Sequence, residues 1–120
     1  MPRALAIVLD LIAVVAFAAI GRLSHAESFD SNQLARTAGP FVLAALMAWV
    51  IIVLRPAMFP GTWRQGVLVW GMALVLGMLF RAMLGGGIQV SFVIVAAIAL
   101  AALLFGWRGI AHLVSRVADR

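Results

Sequence analysis

The chain has 120 residues, of which 66% are hydrophobic and 11% charged, with a mean hydropathy of +1.17. A soluble domain carries about a quarter charged residues, so this chain cannot coat a water-facing surface, and disorder is excluded because it needs low hydrophobicity and high charge. The net charge of +5 comes from arginines spread singly along the chain, which gives no nucleic-acid patch and fits instead the ends of membrane spans and their lipid headgroups.

An integral membrane protein remains. At roughly 20 residues per crossing, the length allows about four spans. Four apolar stretches separated by polar punctuation supply them. The first covers residues 4–23 and is interrupted only by Asp10. The second covers 38–54, entered through Gly39-Pro40 and closed by Arg55-Pro56. Pro40 falls where a first helical turn tolerates it, because its missing N–H would be unpaired there. The third covers 65–84, after the turn Phe59-Pro60-Gly61-Thr62, and ends at Gly85-Gly86-Gly87. The fourth covers 89–107. The tail 108–120 places Ile110, Leu113, Val114 and Val117 at spacings of three and four, the pattern of a short amphipathic helix at the interface.

Each stretch is long and continuously apolar, whereas membrane strands are about ten residues long and alternate. The fold class is therefore an all-α integral membrane protein, with 1–120 forming a single four-helix domain. Arg3 and Ser24-His25-Ala26 have the outline of a cleavable signal. The length of the apolar run, the Asp inside it and the three later spans favour a retained helix. With the N-terminus inside, Arg3, Arg55, Arg64, Arg108, Arg116 and Arg120 lie inside, and Arg22, Arg36 and Arg81 outside. The positive-inside rule then puts both termini and the tail in the cytoplasm, with dual topology as the lesser alternative.

Asp10 is the costliest residue in this arrangement. It lies about six residues into the first span, roughly 9 Å by helical rise, where a charge is expensive. It is expected to be protonated or paired inside the bundle. With the inner ends of the spans aligned, Trp49 and Trp70 fall near its level, and an indole N–H is a donor with no competing acceptor. Arg55, Arg64 and Arg108 are near enough to reach in from the cytoplasmic end, and the expected partners are Trp49, Trp70 and Arg108. Such an acid either clamps helices together or titrates and binds.

A second polar group forms at the outer end. Phe17, Gly21 and Ser24 lie within about 40° of Asp10 on either side at 100° per residue. In the third span Gly77, Arg81 and Gly85 recur every four residues, and Ala73 extends this face of small residues, which permits close helix approach in lipid. The first and third spans run the same way, so Arg81 reaches the level of Arg22, Ser24 and His25. Glu27 or Asp30 supplies the counter-charge, and Gln89 joins from the fourth span. This cluster either holds an anion or headgroup, for which Arg is well suited, or pins the loop to the helix ends. Gly21, Gly77 and Gly85 are the expected packing glycines.

No reaction motif is present. Ser24, His25 and Glu27 are too close in sequence to converge as a triad, which is a matter of geometry. His25 and His112 fall on opposite sides of the membrane and cannot share a metal. The chain has no Cys, hence no disulfide or thiolate chemistry. No enzyme activity, cofactor or metal is expected.

The order Asp10, Gly21-Arg22-x-Ser24-His25, Pro40-Phe41 with Trp49, Gly77-Met78 with Arg81, Ser91-Phe92-Val93 and Gly106-Trp107-Arg108 resembles the domain-of-unknown-function 3054 family of small prokaryotic membrane proteins, found in actinobacteria and haloarchaea. The likeness runs from Leu9 to Arg108, and Gly-Arg-x-Ser-His is its most specific part. It implies four membrane helices and no assigned activity. The low acid content suits an actinobacterial membrane better than a salt-adapted one.

Two functions are open, both in a prokaryotic plasma membrane. One is a homo-oligomeric transporter or channel for a small solute or ion, with Asp10 titrating or binding and Arg22, His25 and Arg81 forming an outer gate. Its plan, though no motif, is similar to that of the small multidrug resistance transporters. The other is a non-transporting accessory, scaffold or lipid-binding subunit. The apolar stretch Leu11–Ile20 between the two polar groups mildly favours the second, or a closed state of the first.

Overall fold

The computed structural model describes residues 2–24, 31–85 and 90–118. Within them the chain forms four helices: α1 (Arg3–Ser24), α2 (Ser31–Leu54), α3 (Thr62–Met83) and α4 (Val90–Ala118), with a short 3-10 turn at Pro56–Met58. Each of the four is long and apolar enough to cross a membrane. Inside lipid a helix pairs its own backbone groups, which is why continuous apolar sequence resolves into helices here.

The helix ends differ from the hydropathy boundaries in three places. α2 starts at Ser31, seven residues before the expected residue 38, so Pro40 lies inside the helix. The leading residues Gln33, Leu34, Ala35 and Arg36 are polar in part but are good helix formers, and hydropathy does not register them. Pro40 removes one helical N–H, a loss that membrane bundles tolerate when neighbouring groups re-satisfy the carbonyl. The third helix begins at Thr62, directly after Gly61, whose φ of 118° only glycine adopts readily. The fourth does not stop at residue 107; the expected separate tail is the same helix, running on to Ala118.

α1 packs on α2 and α4, and α3 packs on α2 and α4; the α2–α3 interface is the most extensive. Contacts fix the directions. Asp10, early in α1, meets Trp49 late in α2 and Arg108 late in α4. Phe17, late in α1, meets Phe41 and Phe92, early in α2 and α4. Early α3 meets late α4 through Trp63 and Phe105. The bundle is therefore up-down-up-down, with α1 parallel to α3.

The core is layered. Ala44, Ala45, Ala48, Ala73 and Ala96 are fully buried, and such small side chains let helices approach where no hydrophobic effect drives them together. Val14, Val69, Leu100 and Leu104 fill the middle. Above them Phe17 sits edge-on to Phe41, with centroids 5.2 Å apart. Large apolar residues such as Leu5, Ile12, Leu43, Val75 and Ile98 face outward, as a lipid-facing surface allows.

Candidate functional site

The buried charged residues among those described are Asp10 and Arg108. They meet at the end of the bundle where α1 begins. Arg108 grips Asp10 with two parallel bonds, Nη1 to Oδ1 at 2.6 Å and Nη2 to Oδ2 at 2.8 Å. The fork of the guanidinium matches the two carboxylate oxygens, which gives direction as well as energy. Trp49 donates its indole N–H to Oδ2, and Trp107 donates to Oδ1, both at 2.9 Å. Each oxygen thus accepts two bonds. A carboxylate offers about four such sites, and all are taken.

Arg108 is satisfied in turn. Its Nε donates to the Thr62 carbonyl at 2.9 Å, and Nη1 also donates to the Leu104 carbonyl one turn back at 3.0 Å. The guanidinium carbon lies 4.3 Å from the Trp107 ring centroid, a cation–π contact. Among the described residues no buried side-chain polar atom lacks a partner. Gly66 makes room for this arrangement. A Cβ there would lie 2.8 Å from Arg108 Nε and 2.9 Å from a Phe105 ring carbon.

Asp10 is therefore paired within the bundle by Trp49 and Arg108, two of the residues at its expected depth. Trp70 is not a partner: its N–H donates to the Ala97 carbonyl at 2.9 Å. The reason is register. α3 starts at Thr62, level with Arg108, so Trp70 lies eight residues further in, about 12 Å by helical rise. Arg55 and Arg64 do not reach in either; both are exposed. Trp107 took the place given to Trp70. Its signal was its position, immediately before Arg108 and at the inner end of its span. Gly66 gave no sign in the sequence beyond being a glycine opposite an Arg in depth.

At the other end, the Arg81 guanidinium sits 4.6 Å from the Phe92 ring centroid. Of the remaining outer cluster, Arg22 and Ser24 occupy the last turn of α1, but their side chains lie outside the described residues, as do His25, Glu27, Asp30 and Gln89 entirely. Gly77 is a true close approach: a Cβ there would overlap the Phe41 ring. Gly21 and Gly85 are not. A Cβ at either meets nothing within 4 Å. Gly85 follows the end of α3 with φ of 91°, so its glycine serves a turn and not packing. Between α2 and α3 on this side runs a mainly apolar groove of about 290 Å³, lined by Arg36, Gly39, Pro40, Leu43 and Phe80 among others.

The two ends are separated by Ala13, Val14, Phe17, Phe41 and Ala45, all buried apolar residues. Residues 7–111 match the family described as Protein of unknown function (DUF3054). The chain belongs to this family. No curated protein and no solved structure matches it. The DUF3054 description carries no activity. Within that matched segment lie all the groups of the Asp10 network, from Asp10 itself to Arg108. Among the described residues, no three metal-ligating side chains come together.

Proposed function

We propose that this DUF3054 protein is a non-transporting accessory, scaffold or lipid-binding subunit of a prokaryotic plasma membrane, with both termini in the cytoplasm and no enzyme activity. The observation that carries this reading is the saturation of Asp10. Both oxygens are fully engaged, the side chain has no exposure, and an apolar core lies between it and the opposite end. A carboxylate so held is a lock between α1, α2 and α4. An ion or proton pathway through one copy would need that lock opened. The exposed Arg3, Arg55, Arg64 and Arg116 at the Asp10 end support the cytoplasmic placement of the termini. The groove beside Arg36 supports lipid binding, since it is mainly apolar and edged by a cation.

A second reading is the homo-oligomeric transporter or channel, with Asp10 as the titrating or binding carboxylate. What favours it is cost. A buried ion pair is often no more stable than apolar residues of the same shape, so an intramembrane pair calls for a role. In this reading the described conformation is closed, and carriage requires Asp10 to release Arg108.

Liposome reconstitution separates the two. Purified protein is incorporated into vesicles, and proton, cation and anion fluxes are followed under imposed gradients beside the Asp10→Asn variant. The proposal expects leakage equal to that of protein-free vesicles for both. Flux above that level in the native protein, abolished in Asp10→Asn, would establish the transporter reading in its place.

A further inference from the structure

The groove between α2 and α3 has a direction. Its α2 wall includes Arg36, Gly39 and Leu43, three and four residues apart and so on one face of the helix. Phe80 and Leu84, four residues apart, stand on the α3 side. Gly77 of α3 meets the Phe41 ring, which fixes the register of the two antiparallel helices. From that level Arg36 lies five residues toward the end where α3 finishes, about 7–8 Å by helical rise, and Leu43 lies two residues the other way. The groove thus follows the helices for about 10 Å. A guanidinium stands toward the end of the bundle, and apolar side chains line the groove toward the middle.

The bundle does not fill this space itself. Gly39 is exposed, and a Cβ there would meet nothing within 4 Å. Leu43 and Leu84 are exposed as well, although both border a concavity of about 290 Å³, close to the lower bound of roughly 300 Å³ for small-molecule pockets. Arg36 is exposed beside them. Among the described residues the one side-chain carboxylate is that of Asp10, and Arg108 holds it at the opposite end of the bundle. No described residue therefore offers Arg36 an anion.

We propose that the groove holds one acyl chain of an anionic glycerophospholipid, with the headgroup phosphate on Arg36. The groove matches such a molecule end for end: phosphate toward the end of the bundle, hydrocarbon toward its middle. A guanidinium presents paired N–H donors that suit phosphate oxygens. A zwitterionic lipid carries the same phosphate but no net charge, so its attraction to Arg36 is weaker. An apolar helix laid in the groove would cover Arg36 without answering its charge, which is costly. The inference rests on the lipid-binding reading above and names the class of lipid and the residues that select it.

The probes are phosphatidylglycerol and phosphatidylcholine with identical chains and a photoactivatable diazirine at the same place in one chain. Each is added as a minor component to phosphatidylcholine vesicles holding the full chain, and adducts are located by peptide mass spectrometry. At Leu43 and Phe80, phosphatidylglycerol adducts are expected to exceed phosphatidylcholine adducts about fivefold, equivalent to roughly 1 kcal/mol. Ile94 is the reference. It is exposed on α4, two residues past the Phe92 that stacks on Phe17, and so close to the level of Leu43; there the two lipids should label equally. Arg36→Gln should remove the excess in the groove and keep the adducts. Gly39→Leu, whose side chain enters the free space, should remove groove adducts of both lipids and leave Ile94 labelled. Equal labelling of the groove by the two lipids, the same excess at Ile94, or an excess that survives Arg36→Gln would each overturn the proposal. Labelling of Ile94 with none in the groove would overturn it too, by showing that protein covers the groove instead. The non-transporting reading fails on a separate observation, flux in the liposome assay, which leaves the adduct map unchanged.

Discussion

Asp10 and Arg108 form a pair whose members depend on each other more than the fold depends on the pair. Removing one charge leaves the other buried and uncompensated, at a cost of about 3–5 kcal/mol, whereas exchanging both for apolar groups of similar size is often neutral. Asp10→Asn and Arg108→Met should each lower the unfolding midpoint sharply in detergent or bicelle titrations. The double variant Asp10→Leu/Arg108→Met should recover part of that loss, the remainder being the cost of the Trp49 and Trp107 indole N–H groups left without an acceptor. A double variant as unstable as the sum of the singles would show that the two residues do not act as one unit. At this scale the sequence was informative through depth and chemistry. An acid inside an apolar span had to be protonated or paired, and Trp49 and Arg108 were near its level. Trp70 misled because the inner ends of the spans were taken as level, whereas Asp10, already two turns into α1, shares through Arg108 the level of Thr62, the first residue of α3.

Helix by helix, hydropathy marks where the chain can enter lipid, and helix propensity marks where it coils. The two coincide for α1 and diverge for α2 and α4. Ser31–Thr37 is polar enough to escape a hydropathy reading and helical enough to extend α2. Gly106 and Gly109 did not break α4, because each leaves the backbone bonds of the helix intact. The glycines show the same division. Gly77 lets α3 meet the Phe41 ring of α2, while Gly21 and Gly85, alike on a helical wheel, face open space. Gly77→Val should therefore cost about 1–3 kcal/mol through overpacking. Gly21→Ala, with nothing within 4 Å of the new carbon, should be neutral or slightly stabilising. Denaturation of the two variants side by side checks this; equal effects would mean that Phe41 moves aside freely.

For the molecule as a whole, the up-down-up-down order puts the start of α1 and the end of α4 at the same end of the bundle, whatever the absolute orientation. Pro2→Cys and Ser115→Cys should react with a membrane-impermeant maleimide from the same face of sealed vesicles. Leu84→Cys, at the exposed turn after α3, should react from the other. Labelling of Pro2→Cys and Leu84→Cys from the same side would contradict a four-span chain. The architecture was legible in the sequence because lipid leaves the backbone so few options. The outer polar cluster was legible only as composition, since His25, Glu27, Asp30 and Gln89 lie outside the described residues.

The partners of Asp10 also set an order of events. Arg108 lies 98 residues after it in the chain, on the last of the four helices to leave the ribosome. At roughly 5–20 residues per second, α1 waits on the order of 5–20 s with its acid unanswered by Arg108. Closure of the bundle thus waits for α4, and a chain cut short before it carries an acid without Arg108. The pair that holds the four helices together also distinguishes a bundle with α4 from one without it.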